Sequence, residues 1–470
     1  MYKIVCVALV ILFVSCSPKI NDKTGKDSLS RPNVIIILTD DQGYHDVGFN
    51  GCKDIPTPNI DRIAKNGIIC TNAYVTYAVC GPSRAGLITG RYQDRFGFGR
   101  NPLFAPNDPG QGLPTSEQTM SSVLKEAGYR TMAIGKWHLG AHETQRPLSR
   151  GFDEFFGFLT GGHMYFPDKM TLSDISEVKS QFDAYKTKLL RNNTRVEEKE
   201  YLTDAFSREA VNFIERNKTQ PFFLYLAYNA PHTPMQATKK YLDRFNGIKN
   251  KKRRTYAAMV SAVDDGVGSI LNKLKELKIL DNTMIFYLSD NGGPEKHNAS
   301  DNGPLREGKG SLYEGGIHVP FAVQWPNVLP GGIKYDKPVI SLDIFSTVIK
   351  YAGAKAKNKL DGVDLVPYFI GKNKTYPHDY LFWRKFDTKA YAVRNRKMKL
   401  VNANGEKDEI YNLRNDIGEK LPIKDTTELV SLLKQKNEWN LQMKDPVFLG
   451  LKQNKQYNQL HPERFTLEKY

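Results

Sequence analysis

The sequence predicts an α/β fold: a large, mostly parallel sheet sandwiched by helices, then a smaller C-terminal α+β region carrying a short antiparallel sheet. Three observations predict it. Asn33-Val34-Ile35-Ile36-Ile37-Leu38-Thr39 is a continuous apolar, β-rich run, as expected of a strand covered on both faces, and it ends in Asp40-Asp41. Strand-like and helix-like segments then alternate as far as residue 351. Beyond that the texture changes to short strand-like pieces. With 470 residues, 40% hydrophobic and 25% charged, the chain is long enough for one large globular unit and one smaller one.

Taken in order, the N-terminus places Lys3 ahead of an apolar run, Ile4 to Val14, and then Ser15-Cys16. Residues 1–16 read as a lipoprotein-type signal with Cys16 lipidated; a plain secretory signal cut nearby is the competing reading. Both export the chain, as a periplasmic or outer-membrane-associated lipoprotein or, on the competing reading, as a soluble secreted or periplasmic protein. Residues 17–30, polar in their second half, form a tether. Helix patterns follow near Asn59 to Asn66, Ser116 to Ala127, Thr203 to Arg216, Thr255 to Leu277 and Asp343 to Tyr351. Strand-like runs interleave near Arg130 to Ile134, Pro221 to Tyr228, Thr283 to Ser289 and Val319 to Gln324. Leu381-Phe382-Trp383, Ala390 to Val393 and Lys399-Leu400-Val401 read as antiparallel strands, with a helix near Glu428 to Lys436. The domain boundary falls near residue 370, giving a larger unit over 31–370 and a C-terminal one over 371–470.

The formal net charge of +16 implies attraction to polyanions. An export signal and the lack of any nucleic-acid motif favour an anionic polysaccharide over nucleic acid. Lys251-Lys252-Arg253-Arg254, the densest basic run, reads as a solvated helix start. Setting aside Cys6 and Cys16 leaves Cys52, Cys70 and Cys80, too few for a disulfide scaffold; Cys52 and Cys70 either pair or stay separate thiols.

Cys80-Gly81-Pro82-Ser83-Arg84 reads as a helix entry, with Pro82 and Ser83 in the first turn and Gly90 as the stop. Position 80 then lies at a positive helix end with Arg84 on the same face, a setting for a nucleophile that meets an anion. Asp40-Asp41 and Asp290-Asn291 each follow a strand-like run. Hard oxygen donors converging from neighbouring strand ends suit Ca²⁺ or Mg²⁺ rather than zinc. Asp and Asn before Gly43 and Gly292 also serve as ordinary strand-ending turns.

These segments resemble, in order, the motifs of the type I, formylglycine-dependent sulfatases of the alkaline phosphatase superfamily. Asp40-Asp41-Gln42-Gly43-Tyr44 resembles the first metal motif, and Cys80 to Arg84 with Gly90-Arg91 the maturation motif and its helix end. Gly135-Lys136-Trp137-His138-Leu139-Gly140 resembles the second signature, followed by Gly151 to Gly157, Pro231-His232, Ser289 to Gly292, and Lys309 ahead of Glu314-Gly315-Gly316. The surroundings look closest to N-acetylgalactosamine 6-sulfatase and arylsulfatase types.

The resemblance implies an alkaline phosphatase-like fold and a sulfuric ester hydrolase acting on glycan sugars, with sulfated galactose or N-acetylgalactosamine as first substrate and a heparan-type glucosamine open. It implies that a separate maturation enzyme converts Cys80 to formylglycine, whose hydrate is a geminal diol. Asp40, Asp41, Asp290 and Asn291 would hold Ca²⁺, completed by position 80. Arg84 and Lys136 would steady the diol, His138 would deprotonate it, and His232 and Lys309 would hold the sulfate and the leaving oxygen. His163, Arg306, His297 and Asn302 are further candidates for substrate binding that no motif fixes. Asp264-Asp265, inside a helix pattern, reads as structural. Two other readings compete: a phosphate or phosphonate ester hydrolase of the same superfamily, and a non-catalytic binder of sulfated glycans.

Overall fold

A computed structural model of the chain describes residues 31–466; the signal and tether read in residues 1–30 lie outside the described residues. The strands are β1 (Asn33–Thr39), β2 (Ile68–Cys70), β3 (Ala73–Tyr74), β4 (Arg130–Lys136), β5 (Glu154–Phe158), β6 (Leu189–Arg191), β7 (Thr194–Val196), β8 (Phe222–Ala227), β9 (Thr283–Ser289), β10 (Phe321–Gln324), β11 (Ile333–Tyr335) and β12 (Val339–Ile340), then β13 (Leu381–Lys385), β14 (Ala390–Arg394), β15 (Met398–Asn402) and β16 (Glu409–Asn412). Ten of them build one sheet in the order β11-β2-β10-β9-β1-β8-β4-β5-β6-β7. Its centre, β9-β1-β8-β4-β5, is parallel. β10 runs antiparallel to β9 and β6 antiparallel to β5, so the predicted mostly parallel sheet has antiparallel flanks.

Alternate residues of β1 sort into the two layers. Val34, Ile36 and Leu38 share a core with Ala85 and Ile88 of the Cys80–Thr89 helix, Leu124 of Met120–Glu126 and Phe345 of Leu342–Ala352. Ile35 and Ile37 face the other way, onto Ile60 and Ile63 of Pro58–Lys65, Phe206 of Leu202–Arg216 and Val260 of Lys251–Glu276. A strand packed on both faces has no polar side to spare, which is why its sequence is apolar throughout.

Caps move several helix starts. Thr119 accepts the Ser122 N–H, so the helix predicted from Ser116 begins at Met120. Asn250 caps the longest helix among the described residues, which therefore begins at Lys251 and takes in the whole basic run. That run is not simply solvated: Arg253 donates to Asp46 at 2.6 Å and to Asp54 at 2.8 Å. Asp264 does prove structural, its carboxylate accepting the Asn59 and Ile60 N–H groups at the start of Pro58–Lys65. Cys52, Cys70 and Cys80 are free thiols. Among the described residues no helix is long and apolar enough to cross a membrane.

β13 to β16 form the antiparallel sheet expected after residue 370, covered by the Thr426–Asn440 helix. Its other side is joined to the large sheet's surroundings by a core that includes Trp383, Tyr74 and Ile317. A buried polar network crosses the same seam. Lys399 Nζ lies 2.8 Å from both Glu314 and Glu419, all three fully buried. Glu314 also accepts from Tyr74 Oη at 2.6 Å and pairs with His318 Nδ1 at 2.9 Å, while Arg394 donates to the same tyrosine.

Candidate active site

Four neighbouring parallel strands finish at one place. β9, β1, β8 and β4 lie side by side, and beyond their C-terminal ends come Asp290-Asn291, Asp40-Asp41, the turn carrying His232, and Trp137-His138. Open α/β sheets place sites at this edge. The Cys80–Thr89 helix begins there too, and closes on Gly90 at a φ of 64°.

Cys80 Sγ lies 3.3 Å from Asp40 Oδ1 and 3.3 Å from Lys309 Nζ. The other Asp40 oxygen takes Lys136 Nζ. Arg84 Nε donates to Asp290 Oδ2 at 2.8 Å, and its Nη1 to the Lys136 carbonyl at 2.9 Å. Lys309 also reaches Asp41 Oδ1 at 2.6 Å, and Asn291 Nδ2 donates to the same oxygen at 2.7 Å. His232 Nε2 stands 3.6 Å from Asp41 Oδ2. Three carboxylates and three cations therefore share one largely buried volume.

The local backbone is bent to serve it. Asp41 and His138 both adopt left-handed φ values, 64° and 58°, which non-glycine residues rarely hold without support. Asp41 gets that support from Asn298, which donates to its carbonyl at 3.1 Å. His138 needs close approach at Gly161, where a Cβ would lie 2.8 Å from its Nε2. Ser289 Oγ accepts the Gln42 N–H at 3.1 Å and donates to the Asn291 carbonyl at 2.8 Å, tying the two acidic strand ends together.

Charge and burial set the protonation states. Burial, with Asp290 and Asp40 alongside, pushes the Cys80 thiol well above its ordinary range. Burial also pushes Asp41 up, but the Lys309 ammonium paired with it outweighs burial and leaves that carboxyl below the usual range. Burial, then Asp40, raises Asp290. His138 is held far below its ordinary value by burial and by Lys136, Arg84 and Lys309. His232 is pushed down to about 3 by burial, against the pull of Asp41. Its Nδ1 faces the Thr233 carbonyl at 2.6 Å, so the neutral ring keeps its lone pair on Nε2, toward the site.

The donor set fits a divalent cation. Ligand atoms of Asp40, Asp41, Cys80 and His232 all lie within 4.8 Å of one another. Asn291 Oδ1 is a buried acceptor that no protein donor satisfies. An anionic, oxygen-rich cluster with an orphan amide oxygen is what hard cations take. The Cys80 sulfur stands here for the oxygen atoms that conversion to formylglycine would install.

The structure thus brings Asp40, Asp41, Cys80, Arg84, Lys136, His232, Asp290, Asn291 and Lys309 together, with His138 close enough to feel their charges. Three of the four weaker candidates are held by contacts of their own. His163 is fully buried, stacked on Phe158 at 4.7 Å with Nδ1 on the Met164 carbonyl. Asn302 is buried and locks a loop through the Gly293 and Glu307 carbonyls. Arg306 lies 3.7 Å over the Tyr313 ring and donates to Tyr411 and the Glu419 carbonyl, so it fastens the Lys309 loop to the C-terminal sheet. His297 is exposed on the short Glu295–Asn298 helix. Sequence reasoning missed Asn298, because its duty is a hydrogen bond to a backbone atom of another segment; Ser289 it placed at the end of a strand and in a motif, without a role of its own.

A family model described as sulfatase matches residues 32–354, and one described as N-sulphoglucosamine sulphohydrolase, C-terminal, matches residues 308–445. N-acetylgalactosamine-6-sulfatase of Homo sapiens is 35% identical over 359 residues, 72% of this chain and 66% of that protein. Steryl-sulfatase of Homo sapiens is 33% identical over 426 residues, 75% of this chain and 72% of that protein. The crystal structure of Ps i-CgsB in complex with k-i-k-neocarrahexaose is 40% identical with a TM-score of 0.85, covering 92% of this chain and 98% of that one. The chain spans about two thirds of the length of the N-acetylgalactosamine-6-sulfatases it matches. A family model over most of the chain, met by an acidic and cationic cluster around Cys80 in the matching fold, makes one conclusion direct: the chain belongs to the sulfatase family, enzymes that hydrolyse sulfate esters, whose active sites are of the formylglycine type with a bound metal.

Proposed function

We propose that this chain removes sulfate from galactose-type sugars of sulfated oligosaccharides, using Cys80 matured to formylglycine and Ca²⁺ held by Asp40, Asp41, Asp290 and Asn291. The observation that carries it is Cys80 lying between Asp40 and Lys309, with Arg84 and Lys136 behind. The sugar is suggested by relatives: an N-acetylgalactosamine-6-sulfatase and a structure holding a neocarrahexaose. Export to the periplasm or outer membrane on a lipid at Cys16 goes with that reading, and so does a partner enzyme that installs formylglycine.

When present, formylglycine supplies a geminal diol and the cation supplies charge for the sulfate oxygens. The chain's own groups do the rest. Lys309 and Lys136 bring fixed positive charge to the negatively charged oxygens of the transferring sulfo group, in a largely buried site. His138 Nδ1 is buried with no partner and held neutral, so it is available to take a proton from a hydroxyl at position 80. His232 Nε2 faces the site and is the group to protonate the leaving sugar oxygen; an arriving sulfate opposes the effects that push its affinity for protons down.

Matured protein assayed on aryl sulfate, aryl phosphate and defined sulfated mono- and disaccharides tests the proposal. Sulfate release from galactose-configured sugars is expected to lead. Faster cleavage of the phosphate would favour the phosphoesterase reading, and an unconverted Cys80 in the native protein, seen by intact mass, would favour the binder.

A further inference from the structure

Next to this site lies a second cleft, of about 210 Å³. Val79 and Gly310 line one wall, and each is covalently joined to a site residue, Cys80 and Lys309. Lys385, Thr388 and Lys452, from β13 and the segments that follow, line the other. The cleft therefore shares its wall with the backbone that carries Cys80 and Lys309, at the seam with the C-terminal region.

Its charge is unbalanced. Asp387 is the carboxylate of this wall, and it is already taken: Arg100 Nε lies 3.1 Å from both its oxygens, and Gln453 Nε2 donates to it at 3.2 Å. Lys385 donates to the Gly310 carbonyl, a neutral acceptor. Lys452 is exposed and makes no ion pair among the described residues. Burial and the nearby Lys452 lower the Lys385 ammonium's hold on its proton, outweighing Glu307. Thr388 Oγ1 is buried and has no hydrogen-bond partner. Lys385, Lys452 and Arg100 thus share one lining carboxylate, Asp387, and that excess of positive charge with an orphan hydroxyl calls for an anion with several oxygens.

We propose that this cleft is a second anion subsite, taking a sulfate on the sugar that adjoins the one presented to Cys80. The assignment rests on the sulfate ester reading of the Cys80 cluster and adds a preference to it: multiply sulfated oligosaccharides. Size agrees, since the cleft is smaller than the roughly 300–1,000 Å³ that encloses a whole drug-sized ligand, and suits one sulfo group with the edge of its ring. Lys385 links this subsite to the catalytic loop through Gly310.

The test compares a disaccharide sulfated on both sugars with the same disaccharide carrying the reactive sulfate alone. Wild type should favour the doubly sulfated compound through KM, and Lys452→Glu should cut that preference about tenfold, the worth of one charge-assisted contact. Thr388→Val, a near-isosteric change, should cut it as well, and rising salt should erode it. Calorimetric titration of Cys80→Ala protein with the two compounds reads the same preference without turnover. If wild type fails to hydrolyse any sulfate ester, the functional reading falls while the titration still decides the subsite. Equal binding of the two disaccharides, or a Lys452→Glu variant that weakens both alike, overturns the subsite.

Discussion

Cys80 as translated is badly placed to attack anything. Burial and the carboxylates of Asp290 and Asp40 keep its thiol protonated at neutral pH, and a protonated thiol is a weak nucleophile. The residue makes sense only as a precursor. Cys80→Ser would keep an alcohol in the same cluster but could not expel sulfate by re-forming an aldehyde. Multiple turnover is therefore expected to fall by at least about a thousandfold, the scale on which covalent machinery is lost, with the melting temperature nearly unchanged. Full steady-state sulfate release by that variant would show the aldehyde reading to be wrong. At this scale the sequence was most readable where a role travels with its neighbours, as at Cys80-Gly81-Pro82-Ser83-Arg84 and Asp40-Asp41. It was least readable for His163 and Arg306, whose positions are decided by Phe158, Tyr313 and Tyr411.

Between elements, the helix Pro58–Lys65 shows why some structural charges escape a linear reading. Thr57 makes no side-chain cap for it; the acceptor comes from Asp264, on the long Lys251–Glu276 helix, at 3.0 Å from Asn59 N and 2.8 Å from Ile60 N. Asp264→Ala should cost about 1–2 kcal/mol, as cap losses do, seen as a lower melting temperature. Burial raises the Asp264 pKa from 3.8 to about 6, against the pull of those N–H bonds. A folded-state pKa above the unfolded one means the folded form holds the extra proton. Its stabilising effect is complete below pH 3.8 and is lost as the pH rises through about 6. Wild type should thus lose stability relative to Asp264→Asn across that window; parallel melting curves of the two against pH would contradict the assignment. The strands were read by composition, which located β1, β4, β8 and β9. Composition carries no direction, so the antiparallel run of β10 beside β9 was not visible.

On the scale of the molecule, the fold class followed from strand and helix alternation, and the site from four adjacent strand ends. A metal at that edge would bind the folded state alone. Chelation with EDTA is expected to abolish turnover and lower the melting temperature, with Ca²⁺ restoring both. An unaltered melting temperature and full activity after exhaustive chelation would mean that Asp40, Asp41, Asp290 and Asn291 serve without a metal. The net charge of +16 belongs to this scale too, drawing anionic chains toward the surface in a salt-dependent way.

The Lys399 network changes what the C-terminal sheet is for. Glu314 sits in the segment that follows Lys309, and the ammonium that neutralises it comes from β15. A chain ended at residue 370 would strand that carboxylate in the interior beside the catalytic loop. Lys399→Met, a much smaller lesion, should do part of the same harm, about 3–5 kcal/mol for a buried ion left without its partner. The last hundred residues are thus less a neighbour of the enzyme than a missing counter-ion, and chemical denaturation should melt both sheets in a single transition.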